Sequence, residues 1–418
     1  MKTETSLPAK CDVAIIGAGP AGLSTAIELK KLGVKDVIVL ERQSVAGGTP
    51  RNCGHSIFGL REFKRAYFGA RYADRLVEKA TEMGVRVVLN TTVTSLADGG
   101  LLHLSTTGGT SDLQAKRIVL STGIRELPRA PRFVSGSRPL GVTTTGALQS
   151  IVYQKNKIPF KHPVIIGSEL VSFSALMTCR HAKIKPVAMI ESNNRITVWS
   201  MARLLPLSLG IKLMLETEII EIIGKQQVTG VKILNSNGSI ETIDCDGVVF
   251  SGQFQPEAAL LRIGNLAIDQ YTGGPVVDQY GRCSDEIYFA TGNLLRPVET
   301  AGWCWNEGIQ TARNVVQSLQ EKLPDTKQQV RLQICSPVIK YVVPQVLAKC
   351  ADDRKYTFQI HLTKPAKGLL SICSNSDVLW CKKINSLPER RIILSVPSEL
   401  LLLKTEMLQI NFDEYSRH

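Results

Sequence analysis

The sequence has no pair of cysteines two residues apart anywhere among its ten. That absence argues against a cysteine zinc site, a four-cysteine iron–sulfur cluster and a thioredoxin-type redox pair, so no metal site is expected. Dispersed thiols fit a reducing compartment, and the expected location is the cytoplasm. Aromatic residues are scarce, at 6%, and no nucleic-acid reader motif accompanies the formal charge of +13. The surplus of Lys and Arg is therefore read as solvated surface, and nucleic acid is not an expected partner. No apolar run approaches the roughly 20 unbroken residues that cross a bilayer. Residues 13–29 come nearest and are interrupted by Gly17, Gly19, Pro20, Gly22 and Glu28, so no integral membrane segment is expected. A hydrophobic fraction of 44% over 418 residues is that of a globular chain with two or three cores.

What is present is concentrated near the start, in CDVAIIGAGPAG at 11–22 and VIVLER at 37–42. Residues 12–16 form a short apolar run rich in branched side chains, which predicts a buried parallel strand. Gly17-x-Gly19-x-x-Gly22 then turns the chain into a helix through Lys31. Gly17 permits the bend, Gly19 lets backbone approach a pyrophosphate, and Gly22 lets the helix pack closely on the strand. Pro20 and Ala21 open that helix, whose free N–H groups face the phosphates. A second strand at 36–40 ends at Glu41 and Arg42, where an acid would accept the hydroxyls of an adenosine ribose.

Residues 44–63 follow as a glycine-rich, basic loop in which Gly47, Gly48 and Thr49 offer unobstructed backbone, and Arg51, Cys53, His55 and Arg61 crowd polar chemistry together. A helix at 70–83 and strands at 85–89, 91–96, 101–105 and 117–120 lead into Ser121-Thr122-Gly123. Pro128, Pro131 and Pro139 mark a crossing between domains. A second strand–turn–helix–strand unit spans 164–191, with Gly167–Ser172 as its turn and Glu191 as its terminal acid. Glu169 stands where the middle glycine belongs, and its carboxylate would repel a pyrophosphate; NAD(P) is possible there but disfavoured. Glu191 would favour NADH over NADPH if nucleotide did bind. Further strands end in Thr291-Gly292-Asn293, and a long helix is expected from about Trp303. Past a polar stretch at 321–329, alternating strands carry no motif of chemistry.

The Gly17 turn with Glu41, Ser121-Thr122-Gly123, the inserted second unit and Thr291-Gly292-Asn293 resemble the two-dinucleotide-domain flavoproteins of the glutathione reductase class over about residues 10–320. Within it, GGTPRNCGHSIFGLREF and NLLRPVETAGW are most similar to the FAD subunits of opine oxidase, D-hydroxyproline dehydrogenase, dye-linked proline dehydrogenase and hydrogen cyanide synthase. The resemblance implies an α/β chain: a three-layer FAD-binding Rossmann-like domain at 1–135 plus 255–325, an inserted NAD(P)-type domain at 136–254, and a small β-rich domain at 331–418. It implies FAD, with Gly17, Gly19 and Gly22 at the pyrophosphate, Glu41 at the ribose, Val93 at the adenine through its backbone, and Thr122 and Gly123 on the adenine side. Gly292 and Asn293 would meet the ribityl chain, Asn293 replacing the usual acid, and Thr300 and Ala301 the pyrimidine edge. Two departures stand out. The redox disulfide is missing, and residues 331–418 lack the cysteine-rich cluster segment of several relatives, so an iron–sulfur centre would have to come from another chain.

The expected function is a FAD-dependent dehydrogenase or oxidase subunit that takes hydride from a small amine, imino acid or hydroxy acid to flavin N5 and passes electrons to a partner subunit or acceptor. Arg51 or Arg61 would hold a substrate carboxylate or the cofactor phosphates, and His55 would act as base. Cys53 is a weaker candidate, read as packing beside the isoalloxazine. Two rival readings are an NAD(P)H-dependent flavin reductase feeding a partner and a non-catalytic or electron-relay subunit of a heteromeric dehydrogenase.

Overall fold

The structure, a computed structural model, describes residues 7–349, 355–374, 377–398 and 406–415. It divides into two compact units: the residues up to Gly48 with Arg75–Ile124 and those from Pro256 onward, and Thr49–Asp74 with Arg125–Gln255.

The first unit is built on Lys10–Ile16, whose last four residues are all buried, as expected of a parallel strand covered on both faces. It pairs in parallel with Val37–Leu40 on one side and Gly109–Leu120 on the other. Arg86–Val88 closes the edge beyond Val37–Leu40. The long strand Gly109–Leu120 serves two neighbours: its first half runs antiparallel to Leu101–Thr106, which pairs with Thr92–Ala97, and its end lies parallel to Tyr288–Ala290. Helices Pro20–Lys31 and Ala301–Leu319 pack on each other, and Thr25 donates to the Gly308 carbonyl at 3.1 Å.

Among the described residues after 328, eight strands make two sheets. One runs in the order Val346–Ala348, Gln329–Ile334, Met407–Glu414, Ala366–Ser374, Asp377–Ser386; the other is Ile339–Val343, Lys355–Leu362, Ile392–Pro397. Leu347, Phe358, Ile360, Leu370, Leu394 and Ile410 form a shared core between them. Tyr341 and Val343 belong instead to the apolar cluster of Ile16 and Leu120. That shared burial is why these strands, expected as a separate domain at 331–418, group with the first unit.

The second unit repeats the plan with a parallel sheet in the order Lys212–Met214, Ala188–Ile190, Pro163–Ile166, Gly247–Phe250, Val142–Thr144. A smaller sheet of Ser135–Gly136, Glu218–Ile223, Gly230–Leu234 and Ile240–Asp244 accompanies it. Residues 49–74, which the sequence places with the first domain, group with this unit. The chain crosses at Ile124–Glu126 and returns at Phe254–Pro256, and these two strands pair. No helix among the described residues is long and apolar enough to cross a membrane.

Candidate cofactor site

At the carboxyl end of Lys10–Ile16 the chain bends through Gly17, at φ +108°, where a Cβ would lie 2.6 Å from the Ser121 carbonyl oxygen. The Ser121 hydroxyl lies 2.9 Å from the carbonyls of both Ile16 and Gly17, fastening the turn to the end of Gly109–Leu120. Gly19 caps the helix Pro20–Lys31, and Pro20 sits where a missing N–H removes no helical bond. Opposite it, Gly48 has φ +65°, and a Cβ there would come within 2.7 Å of Gly19 Cα. Gly47 N–H donates to the Ala18 carbonyl at 2.8 Å. Gly19 and Gly48 thus bring two stretches of bare backbone into close contact at the donor-rich start of a helix, a surface that fits a diphosphate lying against it.

Glu41 is buried beside this turn. One carboxylate oxygen accepts from Ala18 N–H and the other from Gln43 N–H, each at 2.9 Å. Each oxygen keeps a lone pair for one hydroxyl of a ribose diol. Arg42 is largely exposed and 3.9 Å from Glu257. Val93 is buried in Thr92–Ala97, while Thr122 donates to the Glu257 carbonyl at 2.9 Å and Gly123 has a positive φ. Ser121 and Glu257 are contributors that the sequence reading gave no bonding role.

At the far end, the helix starts at Ala301, two residues before the expected Trp303, with Thr300 as its cap. Asn293 is not free in the way its assignment to a ribityl chain supposes: its Nδ2 donates to the Glu299 carbonyl at 3.1 Å and its Oδ1 accepts from Glu299 N–H at 2.7 Å. Gly292 N–H donates to Glu307 at 3.0 Å, and the Glu307 carboxylate grips the buried Arg296 through both of its guanidinium NH2 groups. Arg296, Glu299 and Glu307 carry no motif; only the fold brings them together.

From Thr49 onward the basic loop belongs to the second unit. Thr49 begins a short helical turn, Arg51 pairs with Asp74 at 2.9 Å, and Tyr72 donates to Glu62 at 2.6 Å. His55 Nδ1 lies 3.1 Å from Ser174 Oγ, which accepts from Gln149 Nε2 at 2.6 Å. Burial lowers the His55 pKa, so its imidazole is neutral at pH 7. Burial pushes the Cys53 thiol up to about 12. That shift disfavours the Cys53 thiolate at neutral pH. Iodoacetamide at pH 7 should label the exposed Cys335 and Cys381 well before Cys53, as peptide mapping would report; Cys53 reacting first would contradict this.

The second dinucleotide turn is filled by its own side chains. Glu169 Oε1 accepts from Gln253 N–H at 3.1 Å, and the carboxylate lies over Gly252. Arg132 donates to the carbonyls of Ser251 and Gly252 at 3.2 and 2.7 Å, capping the end of Gly247–Phe250. Glu126 takes N–H bonds from Gly146 and Gly252 at 2.7 and 3.2 Å; burial raises its pKa and those donors oppose the rise. Glu191 differs most from Glu41: it accepts from the Ser168 hydroxyl and from both the backbone and side chain of Asn193. Ser168 stands where the first unit has Ala18 and takes one lone pair of Oε2, as Ala18 does on Glu41, while Asn193 fills both lone pairs of Oε1, one of the two that a ribose diol would need. Among the described residues, no group of three His, Cys, Asp or Glu side chains is arranged to hold a metal ion.

A profile of the pyridine nucleotide-disulphide oxidoreductases matches residues 11–318. The alpha subunit of sarcosine oxidase from Rhizobium meliloti (strain 1021) is 24% identical over 380 residues, 85% of this chain and 35% of that protein. The A subunit of opine oxidase from Rhizobium meliloti is 23% identical over 324 residues, 70% of this chain and 60% of its own. The chain thus spans 35–60% of the length of these two curated relatives. Thioredoxin reductase of T. acidophilum superposes with a TM-score of 0.62 at 21% identity, covering 75% of this chain and all of its own, a likeness of fold alone.

Proposed function

We propose that this chain, which belongs to the pyridine nucleotide-disulphide oxidoreductase family of FAD-dependent enzymes, oxidises a small amine, imino acid or hydroxy acid and hands the electrons to a partner subunit or acceptor. The observation that carries this over a reductase reading is the contrast between the two terminal acids. Glu41 keeps a lone pair on each carboxylate oxygen for a ribose diol, whereas Glu191 Oε1 spends both of its own on Asn193, beside a Glu169 carboxylate where a pyrophosphate would lie. Hydride then has to come from an organic substrate, and without a cysteine pair it does not pass to a dithiol. The names of these two oxidase components support an amine-bearing substrate and a heteromeric assembly.

FAD, when bound, supplies the hydride acceptor. Gly17, Gly19, Pro20, Ala21, Gly22, Gly48 and Thr49 hold its pyrophosphate region in this reading, Glu41 and Arg42 its ribose, and Val93, Thr122 and Gly123 its adenine. Gly292, Asn293, Thr300 and Ala301 take the flavin end. His55, neutral and oriented by Ser174, removes the proton from a substrate ammonium so that the nitrogen lone pair is available, and Arg51 or Arg61 holds the substrate carboxylate. The dispersed thiols agree with a cytoplasmic enzyme.

Anaerobic mixing of the yellow holoprotein with D- and L-amino acids, imino acids, hydroxy acids and NADH tests this. One organic class should bleach the flavin and NADH should not; bleaching by NADH alone would establish the reductase instead. Turnover with an artificial acceptor in the absence of any other chain separates a catalytic subunit from a relay.

A further inference from the structure

The loop Gly292–Ala301 is held from the strands after residue 328, which carry no motif. Tyr341 donates to the Pro297 carbonyl at 2.7 Å, and Gln359 Nε2 lies 3.4 Å from Glu307 Oε1. Arg391, next to Ile392–Pro397, places its guanidinium 3.2 Å from the Glu299 carboxylate and 3.9 Å from the centroid of the Trp303 ring, in the first turn of Ala301–Leu319. Both members of the Arg391–Glu299 pair are largely buried, with side chains 12% and 8% exposed. Burial raises the Glu299 pKa, and Arg296 and Arg391 pull it back. Two guanidiniums, Arg296 and Arg391, therefore face two carboxylates, Glu307 and Glu299, and removing any one strands a buried charge.

We infer that the final β-rich segment braces the flavin end of the cofactor site, with Arg391 as the positioning residue that fixes Glu299, and through it the Asn293–Glu299 clip and the Thr300–Ala301 helix start. The inference rests on the FAD reading. It assigns a task to strands that otherwise pack without chemistry, and it predicts an effect confined to one end of the ligand. The adenine end is held by Gly17, Gly19 and Glu41, none of which Arg391 touches.

FAD and ADP, a probe of the adenine end alone, are titrated into flavin-free full-length protein. Arg391→Met should weaken FAD about tenfold or more while ADP affinity stays within about twofold. Glu299→Gln placed on Arg391→Met removes the stranded carboxylate and should recover most of the FAD affinity, which a general loss of packing in the β-sheets would not allow. If Arg391→Met does not fold, Glu299→Gln alone should show the same split, because Arg391 keeps its place over Trp303. Parallel weakening of FAD and ADP, no weakening of FAD, or no recovery in the double variant would each overturn the inference. A wild-type chain that takes up no FAD would remove the underlying reading as well, a result distinct from an unaffected Arg391→Met.

Discussion

Gly19→Val should yield a folded, colourless protein. At φ −83° and ψ −176° the Gly19 backbone is extended and open to any residue, and a Cβ there would meet only Gly48 Cα, at 3.9 Å. Glycine is also a modest helix cap, so the flavin-free stability should change by no more than about 1 kcal/mol. What the valine does add is bulk on the bare backbone at the helix start, against which the diphosphate would lie. FAD affinity should fall about a hundredfold or more, equivalent to about 2.7 kcal/mol. Gly48→Ala gives the contrast. Its φ of +65° and a Cβ 2.7 Å from Gly19 Cα put strain into the protein itself, so both stability and affinity should drop. Calorimetric melting of the flavin-free forms beside FAD titration separates the two; a Gly19→Val protein that keeps its flavin would show that this turn is not the phosphate site.

The second large effect is on folding. Gly308 lies inside Ala301–Leu319, where exchange to alanine normally stabilises a helix by about 1 kcal/mol. Here a Cβ would overlap Ser24 Oγ and the Ala21 carbonyl and press within 2.9 Å of Thr25 Oγ1, all on Pro20–Lys31. The backbone of one helix meets the face of the other at this point, and no side-chain rotation relieves the Ala21 clash. Gly308→Ala should therefore destabilise the first unit by about 2–3 kcal/mol, the usual cost of overpacking, in spite of its better propensity. A lowered first-unit melting transition, read by calorimetry, is the expected result. An unchanged or raised one would mean the two helices are not in such close contact.

How much of this could be read in advance follows from how local each feature is. The strand, turn and acid at residues 12–41 are contiguous, and each residue's demand on the backbone is written in its own chemistry: Gly17 has positive φ, and Glu41 reaches back to Ala18. The place of Glu169 in the second turn is local in the same way, and its carboxylate lies over Gly252. The strand expected at 117–120 in fact starts at Gly109, because its first residues, GTSDLQ, pair with Leu101–Thr106 through the backbone and show little apolar periodicity. The cluster of Arg296, Glu299, Glu307 and Arg391 was illegible, since Arg391 lies far along the chain in a stretch with no spacing to announce it. Asn293 is placed at the flavin end by resemblance alone, and its amide's hydrogen bonds to the Glu299 backbone six residues on have no signature in the spacing.

Titration of the flavin-free chain with FAD tests the assignment most directly. Binding at one equivalent per chain, with the oxidised-flavin spectrum developing in step and weakened by Gly19→Val, is the predicted result. A wild-type chain that folds with both units intact and takes up no FAD would contradict it.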